Sequence, residues 1–185
     1  VLGPDASEEQ IKAMLDAHGE VFIKPVFKGG VGKKGKAGLV GRAKDLRTAL
    51  REKERLYFAE HRHGHVFAKA NGVTFEAAVP AEHEVYFSLT DNTRFRAPTM
   101  TLTHHGGVDI EELDKGQIVS VPFNPLTGLK AFVVANALSE LNAPKALISP
   151  LVQHLPNLWD LFHDCGMTPL ELNPIRLRPD AKGRL

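Results

Sequence analysis

The sequence predicts a mixed α+β fold, because helical and strand-like patterns alternate along its 185 residues. Apolar residues recur at helical spacing in several stretches, and short runs of β-branched and aromatic residues lie between them. Hydrophobic residues make up 43% of the chain, which is enough for an ordinary core. A chain of this length can form two small lobes, and we predict a first lobe at residues 1–80 and a second at residues 81–185.

The first lobe is predicted to begin with a helix, followed by strands and a second helix. Ser7 and Gln10 have the spacing of a capping box, and Gly19 can end the helix that follows. The stretch HVFAKANGVTFEAAV predicts a hairpin that turns at Asn71 and Gly72, a dipeptide that tolerates positive backbone φ. The other elements predicted in this lobe are a strand at 21–27, an extended segment at 37–41 and a helix at about 44–57.

The second lobe is predicted to combine strands with two helices. A stripe of Leu, Trp and Phe residues within 147–162 has helical spacing, and we expect it to lie in the core or in a subunit interface. Cys165 has no motif around it and is expected to be a small buried residue. The elements predicted here are strands at 84–90 and 98–103, helices at 132–141 and 147–162, and a last strand at 168–180.

Charge and composition argue against several classes of protein. Lys and Arg number 23 against 22 Asp and Glu, and this formal net charge of +1 lacks the clustered positive excess of a nucleic-acid binder. No apolar stretch has the length that spans a membrane. The one cysteine cannot form an internal disulfide, and the first residues, VLGPDASEEQ, do not resemble a secretory signal. We therefore expect a cytoplasmic protein with neither a nucleic-acid nor a membrane partner.

A stretch rich in glycine and lysine, EVFIKPVFKGGVGKKGKAGLVG at residues 20–41, is the first candidate binding site. Glycines let consecutive backbone N–H groups turn toward a ligand, and lysines add positive charge, so the stretch is typical of a phosphate site. It matches neither the Walker A pattern nor the dinucleotide fingerprint, and a solvated hairpin tip is the alternative. Lys24 lies in the strand itself, and its amine is expected to reach a counter-charge in a cleft unless it is an ordinary edge-strand lysine.

The stretch LELNPIRLRPD near the end of the chain is the second candidate site. Strand alternation places Leu170 and Leu172 on one side and Glu171 and Asn173 on the other. A carboxylate and an amide oxygen side by side suit a hard cation such as Mg²⁺, which takes few protein ligands and completes its shell with phosphate and water. The alternative is the solvated outer face of an amphipathic strand, with Pro174 marking a bulge or an edge.

Taken in order along the chain, these motifs resemble those of a known family. The order is an apolar strand ending in lysine, the Gly/Lys loop, FEAAVPAEHEVYFSLT, THHGGVDIEEL, FNPLTGL and LELNPIRL. It resembles the ATP-grasp nucleotide-binding part of the succinyl-CoA synthetase β subunit and of ATP-citrate lyase, from about residue 8 to 180. The pieces IKP, GKAGLVG and HHGGVD are more similar to the citrate branch. The resemblance implies an ATP-grasp fold, with two small α/β lobes and the nucleotide cleft between them.

The resemblance also implies which residues bind ATP. Lys24 corresponds to the lysine that holds the α- and β-phosphates, and Glu84 corresponds to the acid that binds the ribose. Glu76 corresponds to the hinge beside the adenine, where backbone groups from Glu76 to Val79 would read the base edge. These roles fit the residue types, since phosphates are bound by ammonium groups and ribose hydroxyls by carboxylates. The loop residues implied to close over the phosphates are Lys33, Lys34, Gly35 and Lys36.

The metal site and the rest of the enzyme follow from the same resemblance. Asn173 corresponds to a Mg²⁺ ligand, and Glu171 is a weaker candidate beside it. In the family a further strand with an aspartate completes this site, and a CoA-ligase domain lies beyond it. The chain stops at PDAKGRL, where that strand would begin. We therefore expect a fragment that carries no catalytic residue of its own and that works with a CoA-binding, phosphohistidine-bearing domain or subunit, in a hetero- or homo-oligomer.

The implied activity is that of ATP-citrate lyase. ATP phosphorylates a histidine on another domain, the phosphoryl group passes to a carboxylate of citrate, and citryl-CoA is formed and split to acetyl-CoA and oxaloacetate, with citrate and CoA bound elsewhere. Succinyl-CoA synthetase, which uses succinate and either ATP or GTP, is the first alternative. The second alternative is a non-catalytic interaction module with a degenerate nucleotide site.

Two groups of histidines are expected to lie outside the chemistry. His104 and His105 are not the phosphorylated histidine of the family, and we do not expect them to contact substrate or nucleotide. His61, His63 and His65 alternate as zinc ligands on a strand would, yet in a polar connection they are expected to be solvated.

Overall fold

The computed structural model describes residues 1–28, 37–63, 66–107, 110 and 113–180 of the chain. The fold divides into two compact units, residues 1–79 and 80–185. Within the described ranges, no helix has both the length and the apolar character that crossing a membrane requires.

The first unit is a four-stranded antiparallel sheet with two helices packed against one face. Its elements are α1 (Glu8–His18), β1 (Val21–Phe27), β2 (Gly41–Ala43), α2 (Leu46–Tyr57), β3 (Glu60–His63) and β4 (Val66–Ala77), and the strand order is β2-β1-β4-β3. Ile11 of α1 and Leu56 of α2 are fully buried with Val21, Ile23 and Phe75 of the central strands. The alternate residues of β1, including Lys24, therefore lie on the face away from this core.

Both helices of the first unit begin at a capping residue. Ser7 and Gln10 form the predicted capping box, since the Gln10 N–H donates to Ser7 Oγ over 3.3 Å and the Ser7 N–H donates to Gln10 Oε1 over 2.9 Å. Gly19 ends α1 with a φ of 74°. Asp45 accepts the Thr48 N–H over 2.8 Å, which explains why α2 begins at residue 46 rather than at 44.

The predicted hairpin at Asn71 and Gly72 is wrong. β4 runs straight through both residues, and they form a bulge: Phe27 pairs with Ala70 and Pro25 with Val73, so two residues of β4 lie opposite one residue of β1. The strand that pairs with the first half of β4 is instead β3, a four-residue strand that the sequence did not predict. A side chain at Gly72 would approach within 3.1 Å of Pro4 Cβ, so glycine here allows close packing rather than a turn.

The second unit is another four-stranded antiparallel sheet, with its helices on one face. Its elements are β5 (His83–Asn92), β6 (Ala97–Thr103), β7 (Val119–Pro122), α3 (Ala131–Glu140), α4 (Lys145–His154), a 3₁₀ turn (Leu155–Asn157), α5 (Leu158–Asp164) and β8 (Pro169–Leu177). The strand order is β7-β6-β5-β8. The helix predicted over 147–162 is broken at the 3₁₀ turn, because Pro156 has no N–H to continue the helical ladder. The short strand β7 was not predicted.

The two faces of the second sheet differ in polarity. One face carries the core, where Phe87, Leu89 and Leu102 are fully buried against the helices. The predicted Leu, Trp and Phe stripe belongs to this core, and Trp159 packs edge-on against Phe123 with their ring centroids 5.0 Å apart. The other face is polar and includes the buried side chains of Tyr86, Ser88, Thr99 and Thr103. Cys165, which we expected to be buried, is exposed because it caps the C-terminus of α5 at the surface.

Replacing Phe87 with alanine tests the core of the second unit. Phe87 is fully buried between β6 and β8, and we expect Phe87→Ala to lower the free energy of unfolding by about 3–5 kcal/mol. Trp159 is the one tryptophan of the chain and lies in this core, so its fluorescence during urea unfolding measures the second unit specifically. Phe132→Ala is the matched control, since Phe132 is 65% exposed. This substitution should change the free energy of unfolding by no more than about 0.5 kcal/mol. Equal effects of the two substitutions would contradict this assignment of the core.

Candidate functional site

Lys24 and Glu76 form an ion pair on the open face of the first sheet. Lys24 is paired with Thr74, and Glu76 with Phe22, so the two charged side chains are diagonal neighbours on β1 and β4. Lys24 Nζ donates to Glu76 Oε2 over 2.5 Å, and Thr74 Oγ1 donates to Glu76 Oε1 over 3.4 Å. The two charged side chains are 39% and 32% exposed, so an incoming ligand can reach both. Two residues that the sequence placed at different parts of the nucleotide are therefore direct partners.

The remaining residues predicted in the first unit are placed only in part. Lys33, Lys34, Gly35 and Lys36 lie outside the described residues. Val79 is the last residue of the first unit, two residues beyond the end of β4. The Ala78 N–H donates to the Glu20 carbonyl over 2.9 Å. Of the backbone groups predicted to read the base edge, this N–H is already engaged by the protein.

The predicted residues of the second unit share the polar face of its sheet. Glu171 is paired with Ser88, and Arg176 is paired with Glu84. Between them the register shifts, because Val85 pairs with Ile175 while Phe87 pairs with Leu172, which places both Asn173 and Pro174 opposite Tyr86 alone. Because of this bulge, three side chains of β8 lie on the polar face: those of Glu171, Asn173 and Arg176.

Glu84 is held by its neighbours at the start of β5. The Arg176 Nε donates to Glu84 Oε1 over 2.8 Å, and both side chains are 35% exposed. The Gly106 N–H donates to the Glu84 carbonyl over 2.8 Å, which packs the turn after β6 against the same residue. A Cβ at Gly106 would lie 2.7 Å from backbone atoms of Glu84 and Val85, and one at Gly107 would collide with Glu84 Oε2. Glycine is therefore required at both positions for this approach.

The same glycine turn contacts the predicted metal ligand. The Gly107 N–H donates to Asn173 Oδ1 over 3.0 Å, across 66 residues of sequence. Gly107 has a φ of 73°, a backbone conformation that favours glycine. The turn thus joins Glu84 and Asn173 through consecutive backbone N–H groups. Arg176, Gly106 and Gly107 were not predicted as site residues from the sequence, although the GG doublet beside the paired histidines was a signal for a tight approach.

The residues of β8 fit a magnesium ion in part. The amide oxygen of Asn173 has two acceptor positions, and the Gly107 N–H uses one of them. Glu171 offers an exposed carboxylate on the same face of β8. Mg²⁺ in nucleotide sites takes only one or two protein oxygens and completes its shell with phosphate and water. Among the described residues no group of three or more His, Cys, Asp and Glu side chains could hold a metal ion by itself.

Three histidines lie close to the glycine turn. The rings of His104 and His105 are 4.2 Å apart between centroids, and the His105 N–H donates to Thr103 Oγ1 over 3.1 Å. His104 Nδ1 is buried and has no hydrogen-bond partner within the part of the chain that the structure describes. Burial lowers the pKa of His104, and the nearby imidazoles of His105 and His83 lower it further. A neutral His104 is therefore the preferred form in the folded chain.

The histidine trio His61, His63 and His65 lies only partly within the described residues. Of its three side chains only that of His61 is described, and it is 8% exposed, so the expectation that it is solvated is wrong. β3 pairs with β4 and turns His61 toward the Phe27 ring, with the two ring centroids 6.1 Å apart. His61 is accordingly a buried aromatic neighbour of the first core.

Comparison with known protein families identifies a match along nearly the whole chain. Residues 4–177 match the ATP-grasp domain family. The chain is 28% identical over 184 residues to the succinate–CoA ligase [ADP-forming] subunit β of Desulfatibacillum aliphaticivorans, and 30% identical over 177 residues to that of Natronomonas pharaonis. These alignments cover 97% and 94% of this chain but 47% and 45% of the relatives. The chain therefore spans about half the length of the curated relatives it matches.

Solved structures share this fold at low sequence identity. The ATP citrate lyase from Methanothrix soehngenii, determined in complex with citrate and coenzyme A, matches with a TM-score of 0.70 at 21% identity, over 96% of this chain and 40% of that one. The dinucleotide-forming acetyl-coenzyme A synthetase 1 of Ca. Korarchaeum cryptofilum matches with a TM-score of 0.68 at 16% identity, over 97% of this chain and 81% of that one. The ATP-grasp fold predicted from the sequence is confirmed.

The lowered pKa of His104 predicts a pH-dependent stability of the second unit. The unfolded chain takes up a proton near the ordinary histidine pKa of 6.5, whereas the folded chain resists it, so stability is lost as the pH falls below this value. We expect His104→Gln to lose less stability than the parent chain between about pH 7.5 and about pH 5.5, measured by urea unfolding with Trp159 fluorescence. His154→Gln is the control, since His154 is exposed on α4. Parallel stability curves for parent and His104→Gln would contradict the prediction.

Proposed function

The chain belongs to the ATP-grasp family, and we propose that it binds Mg·ATP as the nucleotide-binding part of an ATP-dependent acid–CoA ligase or lyase. The observation that carries this proposal is the shared placement of Glu84, Glu171 and Asn173 on one face of the second sheet, where the glycine turn joins Glu84 to Asn173. A ribose acceptor and two hard oxygen ligands on one surface are the groups that a nucleotide with its metal requires.

In this proposal Lys24 binds the phosphates. Its ammonium group is paired with Glu76 and is 39% exposed, so it can exchange one carboxylate for the denser negative charge of a triphosphate. Glu76 holds the amine on the open face of the sheet, where a phosphate can approach. Phosphoryl transfer requires chiefly positioning and charge neutralisation, and a positioned lysine contributes to both.

The second unit would bind the ribose and the metal in the same proposal. The Glu84 carboxylate would accept hydrogen bonds from the ribose hydroxyls, and Asn173 and Glu171 would hold Mg²⁺ through their oxygens. The ion, when bound, supplies further neutralisation of the phosphate charge. The residues of this chain bind and orient the nucleotide, and the phosphorylated histidine and the CoA site are assigned to a partner domain or subunit.

We propose citrate as the acid substrate of the complete enzyme, and the ATP-citrate lyase type as its reaction. The motifs IKP, GKAGLVG and HHGGVD support this choice. The structural similarity to ATP citrate lyase is compatible with it but at 21% identity supports the fold alone. Succinate is the second candidate, because relatives at 28% and 30% identity are named as succinate–CoA ligase β subunits.

Removing the Lys24 amine tests the nucleotide site. We expect Lys24→Ala to weaken Mg·ATP binding at least about tenfold in isothermal titration, since hydrogen bonds to charged groups contribute about 1.5–3 kcal/mol. Lys69→Ala is the matched control, because Lys69 is also a strand lysine paired with a glutamate, Glu60, over 3.7 Å. The Lys69→Ala variant should bind Mg·ATP with the affinity of the parent chain. A parallel titration with Mg·GTP measures the preference between the two nucleotides.

Two results would count against nucleotide binding by this chain. If neither Mg·ATP nor Mg·GTP binds the parent chain at millimolar concentration, the chain does not bind nucleotide by itself, and the alternative of a non-catalytic module gains support. If Lys24→Ala and Lys69→Ala weaken binding equally, the effect reflects a general loss of positive charge, and the specific role of Lys24 is wrong.

The identity of the acid is tested in the enzyme assembled with its CoA-binding partner. With ATP and CoA present, we expect citrate to support release of ADP and formation of acetyl-CoA and oxaloacetate, and succinate to support little turnover. The contribution of this chain is checked by the Lys24→Ala variant in the same assembly, which should abolish turnover with the preferred acid. Formation of succinyl-CoA with no product from citrate would replace the first candidate with the second.

A further inference from the structure

Arg176 is the charged neighbour of the proposed ribose acid. The two residues are direct cross-strand partners on β5 and β8, and the Arg176 Nε lies 2.8 Å from Glu84 Oε1. A guanidinium group is planar and carries its donors in a fixed fork, so it restricts the rotation of a carboxylate more than an ammonium group does. Exposed ion pairs add little to the stability of a fold. At 35% exposure, both side chains remain within reach of a ligand.

The glycine turn also packs against Glu84. The Gly106 N–H fixes the Glu84 backbone, and the absence of a side chain at Gly107 leaves room for Glu84 Oε2. The carboxylate is therefore held by Arg176 at Oε1, while Oε2 occupies the space that the missing side chain of Gly107 leaves. A carboxylate has about four acceptor positions, and the bond from Arg176 uses one of them, which leaves acceptors for a ligand.

We propose that Arg176 is a positioning residue, which fixes the Glu84 carboxylate so that it accepts hydrogen bonds from the two ribose hydroxyls of the nucleotide. This inference rests on the proposed function, because it assumes that Glu84 binds the ribose. Arg176 acts through Glu84 and contributes no contact of its own to the nucleotide. The ordering of the carboxylate is completed before the ligand binds, so the nucleotide does not bear the entropy cost of immobilising it.

The glycine turn extends this arrangement to the metal ligand. Consecutive N–H groups of Gly106 and Gly107 bind the Glu84 carbonyl and Asn173 Oδ1 over 2.8 and 3.0 Å. The backbone of Glu84 and the side chain of the proposed Mg²⁺ ligand are therefore bonded to the same turn. Glu84 and Asn173, which are proposed to bind the ribose and the metal of one nucleotide, therefore lie at a fixed spacing.

The experiment compares Mg·ATP with the Mg²⁺ complex of 2′,3′-dideoxy-ATP, which lacks both ribose hydroxyls. Dissociation constants are measured by isothermal titration for the parent chain, Arg176→Met, Glu84→Gln and the double variant. We expect the parent chain to prefer ATP by about tenfold or more, the effect of a hydrogen bond to a charged group. Arg176→Met should reduce this preference at least about threefold, and in the Glu84→Gln background it should have no further effect.

Two further variants separate positioning from charge and folding. Arg176→Lys keeps the positive charge but loses the fork, so its preference for ATP should fall between those of the parent and Arg176→Met. Arg178→Met removes an exposed arginine two residues further along the chain, and the preference should remain that of the parent. Urea unfolding followed by Trp159 fluorescence verifies that each variant is folded.

The outcomes distinguish this inference from the proposed function. If the parent chain binds neither nucleotide, both are overturned. If the parent prefers ATP and Arg176→Met retains that preference, the inference is overturned and the proposed function stands. If Arg176→Met weakens the binding of both nucleotides equally, Arg176 contacts the phosphates or stabilises the fold. If the preference for ATP increases in this variant, Arg176 competes with the ribose for the Glu84 carboxylate. Either of these last results also overturns the positioning role.

Discussion

The bulge at Asn173 and Pro174 is the constraint on which the polar face of the second sheet depends. Simple alternation would place Glu171 and Asn173 on the polar face but would turn Arg176 into the core. The extra residue of the bulge shifts the alternation by one position. Ile175 then pairs with Val85 on the apolar face, and Arg176 lies on the polar face. One inserted residue thus places a carboxylate, an amide and a guanidinium on the same surface while the apolar core stays closed.

A second bulge has the same effect in the first unit. Asn71 and Gly72 lie together opposite one residue of β1, which lets both Ala70 and Val73 remain in the core. Without the extra residue, the two ends of β4 could not both face the helices while pairing with β1. The alternation of β1 is thereby preserved, and Lys24 stays on the open face beside Glu76. In both sheets an irregularity in one strand keeps a charged pair on the face away from the core.

The sequence predicted the long, strongly periodic elements better than the irregular ones. The helix at Glu8–His18 and the strand at Val21–Phe27 were predicted within a residue or two, because capping and alternation are local signals. Asn71 and Gly72 were misread because the same dipeptide suits a turn and a bulge, and only the partner strand decides between them. Arg176 was missed for a related reason, since its face depends on the bulge and its partner Glu84 lies 92 residues earlier in the chain.

Two ion pairs of the candidate site, both among the described residues, are formed before any nucleotide arrives. Lys24 is paired with Glu76 and Arg176 with Glu84, so bound phosphates would replace Glu76 as the partner of Lys24, while the pair of Arg176 with Glu84 is kept. Such exchange contributes less raw electrostatic attraction than an unpaired basic surface, and binding then depends on the geometry of the partners. This agrees with a formal net charge of +1, and it separates the site from a nucleic-acid surface, where unpaired lysines and arginines neutralise phosphates and binding weakens steeply with salt. Recognition of a ribonucleotide with its metal is therefore expected to come from the fixed positions of Glu84 and Asn173 rather than from the total charge of the chain.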